Sequence, residues 1–180
     1  MEWKQQAMRE RLSKAPLDRM RNIKPANTRA AADAAEHELL FTRVFDAPRS
    51  LVFRAWIEPE QVAQWWGPQG FSVVFIEMDV RPGGTWRKCM RSPEGNDYWR
   101  RGLYREVVEP ERLVFTYISD DPHSDPDHET LVTVTFAEHG AKTLVTFRQT
   151  GFKSAASRDS HQGGWTSCME RFADYLAHAK

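Results

Sequence analysis

Cysteine is scarce in this chain of 180 residues: Cys89 and Cys168 are the whole complement, far apart, with no CxxC pair and no histidine at metal-ligand spacing. That excludes a disulfide framework and a thiolate zinc site, and it suits free thiols in a reducing compartment, so the cytoplasm is the expected location. No run of about 18 apolar residues occurs, so no segment reads as a membrane-spanning helix, and the N-terminus lacks the apolar centre of a secretion signal. Net charge is missing as well, because 25 Lys and Arg balance 25 Asp and Glu. Nothing electrostatic therefore points to nucleic acid or anionic lipid as a partner, and no basic stripe is interleaved with aromatics. There is no nucleophile elbow and no Ser, His, Asp order. Gly83-Gly84 is followed by neither a helix start nor Lys-Ser/Thr, so it reads as a tight turn and not as a phosphate loop.

What the chain does have is apolar and aromatic material, 41% hydrophobic and 12% aromatic residues against 28% charged, enough to bury a core. The length fits one domain with a short appendage. The charge balance is an average over two unlike parts. Residues 1–35 hold 8 of the basic and 4 of the acidic side chains, which leaves 17 basic and 21 acidic in 36–180. Pro16 and Pro25 break any long helix in the first part, which reads as a loose basic extension; Met20 is an alternative start. Its arginines admit an organellar address, which Glu2, Glu10 and Asp18 oppose.

The remainder, 36–180, reads as one domain. A strand over 37–45 places Leu39, Phe41, Arg43 and Phe45 on one side; Asp46 and Pro48 suit the start of a helix carrying Leu51, Val52, Ala55 and Trp56. Pro59 opens a second short helix with Val62, Trp65 and Trp66, stopped by Gly67-Pro68. Six strand-like segments follow, over 71–80, 84–91, 97–108, 112–119, 130–137 and 142–149, each closed by turn residues, as in an antiparallel meander. A long helix over 157–177 carries His161, Trp165, Cys168, Phe172, Tyr175 and Leu176 on one face. The fold class is α+β, a curved antiparallel sheet of about seven strands wrapped around the last helix, with a cavity between them as the natural ligand site.

Four separated motifs carry a resemblance: Trp65-Trp66-Gly67-Pro68-Gln69-Gly70-Phe71, Asp79 to Trp86, Gly102 to Thr116, and Gly163-Gly164-Trp165. In that order and spacing, over about 37–177, the chain resembles the family named after the activator of heat-shock protein 90 ATPase. That family lies within the START-like (SRPBCC) superfamily, whose birch-pollen-allergen-like fold is called the helix-grip. The resemblance implies a hydrophobic cavity under the long helix. The co-chaperone that names the family has a further domain gripping the chaperone, for which residues 1–35 leave no space, so chaperone activation is not expected. At Lys88, similar sequences carry an aromatic residue. A cation there, on the strand face of Trp86 and Met90, implies an anionic ligand or a pair with Glu106, because an unpaired buried ammonium is costly.

The expected cavity wall is Trp65, Trp66, Trp86, Met90, Phe115, Tyr117 and Trp165, with polar contacts from Lys88, Tyr104, Glu106 and His161. Broad indole surfaces suit flat or lipid-like ligands, and equally serve as core. Tyr104 and Glu106 fall on one strand face by period 2, and His161 opens the helix stripe, so the three are candidates for acid–base chemistry. A small hydrophobic or amphipathic ligand is the first reading and needs no cofactor. An enzyme like the superfamily's cyclases and dehydratases, using Glu106, Tyr104 or His161, is the second. A regulatory or stress-response interaction module docking through the basic extension is the third, and a homodimer stays open. The cluster His123, Asp125, Asp127 and His128 has metal-capable side chains on a Pro-broken hairpin tip, which reads as a solvated loop, so no metal is expected.

Overall fold

The computed structural model describes residues 37–120 and 128–179. The extension over 1–35, and His123, Asp125 and Asp127 of the hairpin tip, lie outside the described residues. Strand β1 spans Glu38–Phe45, helices α1 and α2 span Arg49–Ile57 and Pro59–Trp65, and strands β2 to β4 span Ser72–Met78, Thr85–Arg91 and Asp97–Val108. Strands β5 to β7 span Arg112–Ser119, Glu129–His139 and Lys142–Thr150, and helix α3 spans Ala155–His178. The seven strands form one antiparallel sheet in the order β1-β7-β6-β5-β4-β3-β2. This is the meander closed by the first strand, the helix-grip arrangement. No helix of the described residues is long and apolar enough to cross a membrane.

The alternation of side chains decides which sheet face receives α3. In β6, Leu131, Val132, Val134 and Phe136 sit within the stretch Glu129–His139, and Val132, Val134 and Phe136 are buried at period 2. Val145 and Phe147 of β7 do the same, and Trp165, Met169, Phe172 and Leu176 of α3 close over them. Phe172 packs 4.5 Å from the Trp65 ring and 4.9 Å from Phe45. Burying side chains of this kind contributes roughly 1.5–3 kcal/mol each.

Two helix starts differ from the sequence reading. Asp46 is not the N-cap of α1: Pro48 occupies that position without a side-chain hydrogen bond, while an Asp46 carboxylate oxygen lies 3.6 Å from Lys142 Nζ. Helix α3 begins two residues early because Ser154 Oγ accepts from the Ser157 amide at 3.1 Å.

Candidate functional site

Helix α2 ends at Trp65, and Trp66 has extended backbone (φ −64°, ψ 131°), so the two adjacent indoles diverge. Trp65 turns into the core, donating its N–H to the Ala55 carbonyl at 2.9 Å. Trp66 faces the sheet with its ring 5.2 Å from that of Trp165. The loop that follows is fastened to α3. Arg171 donates to the carbonyls of Trp66, Gly67 and Pro68 at 3.3, 3.1 and 3.0 Å, satisfying groups the end of α2 leaves open. The Gly67 amide donates to Cys168 Sγ at 3.3 Å. Gly67 has φ +101°, and a Cβ there would stand 2.9 Å from Met90 Sδ, so any other residue would strain the backbone and push Met90 aside.

Between this loop, α3 and the inner faces of β3 to β5 lies a cavity of about 120 Å³. Its apolar walls come from Trp66, Met90, Tyr117 and Trp165, and its polar groups from Arg100, His161 and Ser160. Exposed Ser160 marks the side open to solvent. Trp165 is held by a buried relay: its indole N–H donates to Gln149 Oε1 at 2.8 Å, Gln149 Nε2 to Thr130 Oγ1 at 2.8 Å, and Thr130 Oγ1 to the Tyr117 carbonyl at 3.1 Å. Every member is satisfied, which fixes two wall residues relative to one another.

Among the described residues, two cations, Lys88 and Arg100, stand together on the inner face of the sheet. Lys88, 3% exposed, sits directly opposite Arg100 across the β3–β4 ladder. Its Nζ lies 3.6 Å from the Trp66 ring centroid and 4.8 Å from that of Trp86, and it makes no hydrogen bond or ion pair among the described residues. Burial lowers its pKa to about 7. Arg100 Nε donates to the Tyr117 hydroxyl at 2.8 Å and Nη1 to the Trp99 carbonyl at 2.7 Å. His161 Nδ1 lies 2.9 Å from the Ser157 carbonyl, which only accepts, so Nδ1 carries the proton and Nε2 remains an acceptor. Burial, with Arg100 and His128 nearby, moves the imidazole below its ordinary pKa. Burial also pushes the Cys168 thiol up to about 12, leaving it protonated and inert at neutral pH.

Of the residues expected at the site, Trp66, Met90, Tyr117, His161 and Trp165 line the cavity, and Lys88 stands beside it. Trp65, Trp86, Phe115 and Tyr104 are packing residues instead: Trp86 donates to the Thr116 carbonyl at 3.2 Å, and Phe115 meets both Trp86 and Tyr104 edge-on. Burial raises the Tyr104 phenol above its ordinary range, which disfavours an acidic role. Glu106 is a correction. A register shift between Tyr104 and Glu106 turns the strand, so Glu106 pairs with Val114 on the outer face and accepts from Arg112 in the open. Neither a Glu106–Lys88 pair nor a convergence of Glu106, Tyr104 and His161 exists. Arg100 is the wall residue that sequence reading missed; the same period 2 that turned Tyr98 and Tyr104 inward was the available signal. Among the described residues, no three metal-capable side chains cluster.

Solved structures of similar fold support this picture. A crystal structure of a protein from Chromobacterium violaceum is 26% identical over 78% of this chain and 96% of that one, with a TM-score of 0.72. One from Nitrosomonas europaea is 25% identical over 81% and 97%, with a TM-score of 0.69. The AHSA1 protein from Silicibacter pomeroyi is 25% identical over 79% and 99%, with a TM-score of 0.70. No curated protein matches at a significant level. The sequence profile of the Activator of Hsp90 ATPase homolog 1-like proteins matches residues 46–177, from the end of β1 to the last turn of α3, and the chain belongs to that family.

Proposed function

We propose that the protein binds a small hydrophobic or amphipathic molecule in the cavity between the sheet and α3, acting in the cytoplasm. The observation that carries the reading is a cavity of about 120 Å³, open to solvent on one side, walled by Trp66, Met90, Tyr117 and Trp165, with Arg100 and His161 among its polar groups. Such a combination of apolar wall and few convergent polar groups is what small-molecule sites share. The volume is near that of engineered cavities of about 150 Å³ that admit benzene, so the ligand has the bulk of a single ring. Acid–base turnover by Glu106, Tyr104 and His161 is not favoured, since only His161 reaches the cavity.

Two measurements test this. Native mass spectrometry of protein taken from its own cells is expected to find a retained small molecule. Titration with benzyl alcohol is expected to give saturable quenching of tryptophan fluorescence, because two of the wall residues are indoles. Absence of both a retained molecule and saturable binding overturns the reading.

A further inference from the structure

Lys88 is a cation the fold does not need. It stands in the interior without a carboxylate or hydrogen-bond acceptor among the described residues, resting on two indole faces, and its cross-strand neighbour is a second cation, Arg100. Trp66 lies beneath its head, Cys168 on α3 is close enough that thiol and amine influence one another, and Met90 follows two positions along the same strand; all three line the cavity. Among the described residues, the other titratable groups that line the cavity are the Tyr117 phenol and the His161 imidazole, with the Arg100 guanidinium, and none of these is an anion at neutral pH. The Lys88 ammonium beside an apolar cavity leaves a charge for a guest to answer.

We propose that the guest is a small carboxylate, whose apolar part fills the space between Trp66 and Trp165 and whose charge pairs with Lys88 Nζ beside Arg100. This rests on the ligand-binding reading above and adds the chemical class. The flexible stem of Lys88 and the thioether of Met90 let the ammonium reach the guest. Binding then requires the protonated amine, so affinity falls once pH passes about 7, where Lys88 titrates.

The test compares benzoate with benzyl alcohol, on the native chain and on Lys88→Met, at pH 7 and pH 9. Benzoate is ionised throughout, with a carboxyl pKa near 4. His161 lies below 6.5 and is neutral across this range, and Arg100 does not titrate, so a change between pH 7 and 9 reports on Lys88. The expected result is benzoate bound more tightly than the alcohol at pH 7, weakened at least about tenfold at pH 9, and reduced to the level of the alcohol in Lys88→Met. Unchanged alcohol binding shows that the variant is folded. If benzoate binds no better than the alcohol, or keeps its advantage at pH 9 or in Lys88→Met, the inference falls while the cavity reading stands. If neither compound binds the native chain, the inference falls, and the cavity reading falls with it when no retained molecule is found either.

Discussion

The indole N–H of Trp165 and the side-chain carbonyl of Gln149 meet at 2.8 Å across the gap between α3 and β7, and Gln149 has no exposed surface. A fully buried amide is tolerated because its N–H passes on to Thr130, whose hydroxyl in turn donates to the Tyr117 backbone. Replacing Gln149 with Leu keeps the bulk and removes both partners, leaving the Trp165 N–H without an acceptor. The expected cost is about 1–3 kcal/mol. A lower urea midpoint at constant slope is the reading to look for; an unchanged midpoint contradicts it.

Gly163 and Gly164 separate helix stability from cavity shape. Both lie inside α3, and a Cβ on either meets nothing within 4 Å, but only Gly164 lines the cavity. Alanine at an unhindered helix position contributes up to about 1 kcal/mol relative to glycine. Gly163→Ala and Gly164→Ala are both expected to raise Tm, and only the second to weaken benzyl alcohol binding, because its methyl enters the cavity. Equal affinities for the two variants would place the ligand elsewhere.

Much of this was legible in the chain. Period-2 burial and turn residues gave each strand to within a few residues, since β4 over 97–108 and β5 over 112–119 are bounded by glycine, proline and charged turns that leave little freedom. The site was less legible for local reasons. The register shift after Tyr104 inverts Glu106, and bulges leave no mark in a binary pattern. The change from helix to extended backbone at Trp66 separates two identical neighbours, a core indole and a wall indole. Gly102 is a third case: Thr116 O and Trp86 Nε1 would stand 1.9 and 2.6 Å from any Cβ there, a close approach that only the folded sheet reveals.

Glu106 offers a clean negative control. It faces solvent beside Arg112, which holds its carboxyl below the ordinary range, on the sheet face opposite the cavity. Glu106→Gln is expected to leave benzyl alcohol affinity unchanged at pH 7. A several-fold loss in a calorimetric titration would return Glu106 to the site.

His161 makes acid destabilising. Its folded pKa is lowered from 6.5, so between the folded value and 6.5 the unfolded chain binds more protons and stability falls as pH drops. His161→Phe removes this group while keeping an aromatic ring against Tyr117 and Phe152, both within 6 Å of the imidazole centroid. The stability difference between the native chain and the variant is therefore expected to depend on pH below 6.5 and to level off above it. Parallel curves in denaturation from pH 5 to 8 would argue against a buried, neutral imidazole.

Lys88 carries the opposite balance of stability and function. Its pKa is about 7 in the folded chain against 10.5 ordinarily, so between these values the unfolded chain holds the extra proton and folding stability rises with pH. Lys88→Met removes the desolvated amine and fills the same space with an apolar stem, so the variant is expected to be more stable at pH 7, by on the order of a few kcal/mol. That advantage should shrink steadily toward pH 10 as the native chain ceases to bear the cost of deprotonating its lysine. Urea denaturation of both chains at half-unit intervals from pH 7 to 10 checks this, and a constant gap would show that Lys88 is not neutralised by folding. A more stable variant that has lost its preference for benzoate would tie the cost of the buried amine directly to recognition of an anion.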